Sequence, residues 1–100
     1  MNLLNLKSKL QPKKHAFEIE GETIYIHRPF SGDLQFCTNA EMTVILCTCD
    51  EAGKRIFTEQ ENDAELIYIR ALEATHVQTI FKAITDLFEN TDVQDEVEKK

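Results

Sequence analysis

Between Ala16 and Arg28 apolar and polar positions alternate. Phe17 and Ile19, then Ile24 and Ile26, are interleaved with Glu18, Glu20, Thr23 and Tyr25. A period of two puts successive side chains on opposite faces of an extended strand, so this stretch predicts a β-hairpin at about 16–28. Gly21-Glu22 separates the two runs, with glycine first as a type II′ turn requires. Pro29 has no N–H to give a ladder and ends the second strand.

The pattern then lengthens. Ser31 is placed to cap a helix, and Leu34, Cys37, Met42, Ile45 and Cys49 make a helical stripe through 32–49. Within it, Thr43-Val44-Ile45-Leu46-Cys47-Thr48 is rich in β-branched residues and reads equally as a buried strand. The absence of an internal breaker favours the helix. Asp50-Glu51-Ala52-Gly53 is a polar turn with Gly53 free to adopt positive φ. Thr58-x-x-Glu61 forms a capping box for a further helix carrying Leu66, Ile69 and Leu72. Acids at Glu59, Glu61 and Asp63 would suit its positive end. Thr75-x-x-Gln78 is a second capping box, ahead of Val77, Ile80, Phe81, Ile84, Leu87 and Phe88, the most regular i, i+3, i+4, i+7 stripe in the chain. Leu3, Leu4, Leu6 and Leu10 predict a short helix over 2–10, closed by Pro12. The expected fold is α+β: a small single domain with an N-terminal β-hairpin and three to four α-helices. Residues 1–15 form a basic arm or short helix, 16–90 the domain, and 91–100 an acidic flexible tail.

Charge sharpens this division. Of 100 residues, the first 14 hold Lys7, Lys9, Lys13 and Lys14 and no acid, while the rest hold all 18 acids against seven bases. A net charge of -7 disfavours nucleic acid, whose phosphates need a basic face. No apolar run is long enough for a bilayer, and the first residues lack the basic and apolar regions of a secretory signal. An odd count of three cysteines is a poor disulfide framework and fits reduced thiols in a cytosol.

Chemistry is sparse. Cys47-x-Cys49, with Cys37 upstream and His15, His27 and His76 elsewhere, supplies zinc-type ligands without zinc-type spacing, and cysteines inside an apolar run are normally buried. No phosphate-binding glycine loop or nucleophile elbow is present, and no Cys–His pair is placed for catalysis. The reading is of a non-enzymatic protein without cofactor or metal. What remains is surplus apolar surface, because a lone hairpin and a few amphipathic helices leave part of a stripe uncovered. Leu66, Ile69, Val77, Ile80, Phe81, Ile84, Leu87 and Phe88 are the candidate partner-binding residues.

Taken in order, these elements resemble the tail assembly chaperones of lambda-like long-tailed bacteriophages. The resemblance rests on three features. The first is the strand ending Ile26-His27-Arg28-Pro29 ahead of Ser31-Gly32. The second is the apolar segment entering Cys49-Asp50-Glu51-Ala52-Gly53-Lys54-Arg55-Ile56-Phe57-Thr58. The third is Val77-x-x-Ile80-Phe81-x-x-Ile84-x-x-Leu87 with its acidic end. Together they cover about residues 16–98. The basic arm at Lys7–Lys14 departs from the type. The resemblance implies a viral protein that coats the tape measure protein in the cytoplasm of the infected bacterial host and is absent from the mature virion. It also implies oligomerisation and a longer form, made by ribosomal frameshifting near Glu98-Lys99-Lys100, that recruits the tail tube protein. Two alternatives stand beside it: an acidic phage-encoded inhibitor of a host protein, and a small zinc-binding interaction module.

Overall fold

The computed structural model describes residues 1–97 and is α+β. Helix α1 (Leu3–Leu10) leads into strands β1 (His15–Ile19) and β2 (Glu22–Ile26), followed by a 3-10 turn at Leu34–Phe36 and helix α2 (Ala40–Cys47). Strands β3 (Thr48–Cys49), β4 (Phe57–Thr58) and β5 (Ile67–Tyr68) come next, then a 3-10 turn at Ile69–Ala71 and helix α3 (Ala74–Val97).

The hairpin forms with one correction. Its two-residue loop is Glu20-Gly21, not Gly21-Glu22, and Ile19 pairs with Glu22. Both loop residues have positive φ, 51° and 80°, so the turn is type I′, whose twist matches that of the flanking strands. The change slides the strands by two residues and therefore leaves the apolar set on one face. Phe17 sits opposite Ile24, and His15 opposite Ile26.

The segment expected as one helix over 32–49 is broken. Asn39, not Ser31, caps α2: its side chain accepts the Met42 N–H at 2.8 Å. Helix α2 then stops at Cys47, and Thr48–Cys49 turns extended to join β2, pairing antiparallel as Tyr25 with Cys49 and Ile26 with Thr48. The result is a three-stranded antiparallel sheet in the order β1-β2-β3. Thr43 through Cys47, more than a full turn, are all buried, so the second half of α2 faces the core on every side and leaves no stripe for periodicity to detect. Its buried hydroxyls bond back to the helix, Thr43 Oγ1 to the Asn39 carbonyl at 2.8 Å and Thr48 Oγ1 to the Val44 carbonyl at 2.7 Å.

Asp50 builds the turn that follows. Its carboxylate accepts the Ala52 and Lys54 N–H groups, each at 2.9 Å, and Gly53 takes φ 90°. These bonds, that from Lys54 first, hold the carboxyl below its ordinary pKa.

The helix expected from Thr58 does not exist. Phe57–Thr58 is a strand pairing parallel with Ile67–Tyr68, and Thr58 Oγ1 accepts the Gln60 N–H at 3.0 Å in a local turn. A helix here would stack Glu59 on Asp63 and Glu61 on Glu65, like charges at i, i+4. Asp63 instead accepts the Glu65 and Leu66 N–H groups at 2.8 and 2.9 Å.

Helix α3 begins at Ala74, before its expected cap. The His76 N–H reaches the Glu73 carbonyl at 3.0 Å, and Thr75 lies inside the first turn. The tail expected at 91–100 overlaps this helix up to Val97, and 98–100, with the frameshift reading placed there, lies outside the described residues. The core gathers Ile26, Val44, Ile45, Cys47, Phe57, Ile69, Val77, Ile80 and Ile84 around α2. Helix α1 contributes nothing to it: the helix has no buried residue.

Candidate functional site

Of the residues expected to meet a partner, four are core. Ile69, Val77, Ile80 and Ile84 are at most 6% exposed and pack with α2. Leu66 and Leu87 are half-buried. Phe81 and Phe88 lie one face over, half-buried, and line an open groove of about 260 Å³.

One wall of this groove is α3, through Phe81, Thr85 and Phe88, which follow i, i+4, i+7 and so share a face. The opposite wall is the 3-10 turn and its exit, Leu34, Cys37 and Thr38, with Asn39 and Thr43 from the start of α2 closing the floor. Local sequence makes this wall. Phe30-Ser31-Gly32-Asp33 turns the chain, with the Asp33 N–H on the Phe30 carbonyl at 2.9 Å and the Phe36 N–H on the Asp33 carbonyl at 2.9 Å. Arg55 reaches Asp33 at 3.6 Å. The turn leaves Phe30, Leu34 and Phe36 exposed, Leu34 by 59%.

The Thr43 and Thr85 hydroxyls and the Cys37 thiol that line the groove already have partners. Thr43 and Thr85 spend their hydroxyl protons on the Asn39 and Lys82 carbonyls, and the Cys37 thiol points to the Asp33 carbonyl at 3.6 Å. It can select shape and apolarity, for instance leucine or phenylalanine side chains on one face of a helix, and it fits the helix-in-groove mode of recognition.

The cysteines are free thiols. Burial, reinforced by Cys37, pushes the Cys47 thiol up to about 12, and burial also raises Cys49. Both are protonated at neutral pH and poor nucleophiles. Among the described residues no group of three His, Cys, Asp or Glu is placed to hold a metal ion. His27 is buried, with Nδ1 2.7 Å from the Arg28 carbonyl and its ring edge-on to Phe30 at 5.6 Å. No described helix is long and apolar enough to cross a membrane. A second, polar hollow between α2 and the Ile69–Ala71 turn holds the surface pair Arg70–Glu41 at 3.9 Å.

Leu34, Phe36 and Cys37 were not among the candidates for partner contact. Two signals mark them: Ser31-Gly32-Asp33 reads as a turn, and Thr38-Asn39 ahead of Glu41 as a helix start. Both argue for an irregular segment presenting apolar side chains between them. Comparison with protein-family models, with curated proteins and with solved structures finds no match.

Proposed function

We propose that this protein is a non-enzymatic assembly chaperone that shields an amphipathic helical client, as the likeness to phage tail assembly chaperones suggests. The client of that reading is the tape measure protein before the tail tube closes around it. The observation carrying the proposal is the open apolar groove between the Leu34–Phe36 turn and α3. Phe81 and Phe88 on α3 and Leu34 on the turn supply apolar surface for side chains spaced i, i+3, i+4 on a client helix. Removing apolar area from water yields roughly 25 cal/mol per Å², so a small groove gives a modest contact. Modest contacts repeated along a client hold it by multivalency and still release it to the tube protein. Ile69, Val77, Ile80 and Ile84, being core, take no part in client contact.

The test is co-expression with a tape measure protein of a lambda-like long-tailed phage, followed by pull-down and size exclusion. The expected outcome is a soluble complex with several copies of this chain per client, weakened at least tenfold by Phe88→Ser and Leu34→Ser together. A client that stays insoluble and unbound sinks the proposal.

A further inference from the structure

Large apolar side chains are exposed in two clusters. Met1, Leu3, Leu4, Leu6 and Leu10 form one on the amino-terminal arm, and Phe30, Leu34 and Phe36 form the other beside the groove, leaving Ile67 apart. Leu3, Leu6 and Leu10 follow i, i+3, i+7 along α1 and present a single stripe, with Leu4 beside it. Asn2 caps this helix by accepting the Leu4 and Asn5 N–H groups at 3.0 and 3.2 Å, and Lys7 and Lys9 fall in its last turn. The helix is thus built locally in full yet buries none of its leucines on its own domain. An isolated eight-residue helix is marginal in water, and a leucine stripe left wet stabilises nothing.

Charge identifies what covers it. The arm carries four lysines and no acid, a charge of +4, whereas the rest of the chain sums to −11, which together give the net −7. Lys14 already leans on the body, donating to the Glu51 carbonyl at 2.6 Å and lying 5.8 Å from the Tyr25 ring centre. Lys7, Lys9 and Lys13 form no ion pair among the described residues. Two arms laid together would set lysine against lysine, while an arm on another copy's acidic body meets opposite charge.

We infer that helix α1 of one copy docks its leucine stripe in the groove formed by Leu34, Phe81 and Phe88 of a second copy. The contact joins an apolar stripe to an apolar groove and a basic arm to an acidic domain. It involves only copies of this chain and is tested without any other partner.

Sedimentation velocity of the full chain over a concentration series tests it, with two variants whose changed residues are exposed and leave the core intact. Leu3→Ser/Leu6→Ser/Leu10→Ser removes the stripe, and Leu34→Lys puts a like charge in the groove. The wild-type chain is expected to self-associate reversibly. That association should weaken severalfold from about 0.01 M to about 1 M salt, as the Debye length shrinks from roughly 30 Å to roughly 3 Å. Each variant alone should be at least tenfold weaker. Mixing the two should restore a one-to-one complex, since one supplies an intact groove and the other an intact arm. A Leu34→Lys variant that associates like wild type shows arm-to-arm pairing and overturns the inference. So does a mixture that stays monomeric, or a wild-type chain monomeric at every concentration, the result expected if the arm folds onto its own groove. A monomeric chain that floats with anionic lipid vesicles would assign the arm to a membrane surface instead.

Discussion

At the scale of single residues, two positions are held in states their chemistry does not favour. Glu20 sits at φ 51° in a region L residues with longer side chains enter at a cost of about 1–2 kcal/mol. Glu20→Asn is therefore expected to stabilise the domain by about 0.5–1 kcal/mol, since Asn-Gly is the favoured type I′ pair. Gly21→Ala, at φ 80°, should destabilise it by about 1 kcal/mol even though open space surrounds the glycine. Urea unfolding of both variants checks this; a loss of stability in Glu20→Asn would place the turn elsewhere. Cys47 is the second case. Its thiol ionises at about 12 in the folded protein against an ordinary value of 9.0. Above pH 9 the unfolded chain sheds this proton while the folded one keeps it, so the unfolded state gains. The stability tied to this thiol is whole below pH 9 and drains away as pH rises toward 12. Cys47→Ala will be the less stable protein at neutral pH, and its deficit should narrow through that window in pH-resolved denaturation. A constant gap would show that the thiol does not titrate with folding.

Among elements, the helices divide the labour. Helix α2 is the centre of the core, and its start depends on the Asn39 side chain. Asn39→Ala should remove about 1 kcal/mol by freeing the Met42 N–H, while Ser31→Ala should change little. Thermal melts of the pair distinguish the two cap assignments; equal losses would refute the one described. Helix α3 has one face for folding and one for the groove. Ile84→Ala, fully buried, should cost about 2–5 kcal/mol. Phe88→Ser should cost less stability and more binding, because its ring is half in solvent. Helix α1 serves neither the core nor the sheet. Deleting residues 1–10 should leave the melting temperature of the dilute protein unchanged within error, and a large drop would show an unseen packing role.

For the whole molecule, the separation of charge matters more than its total. A basic leucine arm precedes an acidic domain that carries an open apolar groove. Arm and client are both proposed to occupy this groove, so they should compete. A client helix added to the self-associated chain should then release free arms, seen as faster trypsin cleavage after Lys7 and Lys9. Cleavage unaffected by bound client would mean that the two contacts lie on different surfaces. Two ion pairs flank the groove, Arg55 with half-buried Asp33 and Lys82 with Asp86 on the open face of α3, and surface pairs of this kind are worth about 0–1 kcal/mol. They fasten the groove walls less than the core beneath them does.

Where a signal was local, the chain alone determined the structure. Alternation made the hairpin, Asp50 and Gly53 made the turn, the stripe of Val77, Ile80 and Ile84 made the inner face of α3, and four leucines with a cap made α1. Tertiary structure decided the rest for identifiable reasons. The second half of α2 is buried on every side, so no period marks it, and only β2 offering a free edge draws Thr48–Cys49 out of the helix. Thr58-x-x-Glu61 is a capping pattern whose acids repel one another and whose phenylalanine neighbour gains more by pairing beside Ile67. The division of one helical stripe into core and groove could not be read from spacing, because Phe81 and Ile84 differ only in what stands opposite them. That neighbour is the Leu34–Phe36 turn, remote in sequence and brought there by the packing of α2 on α3.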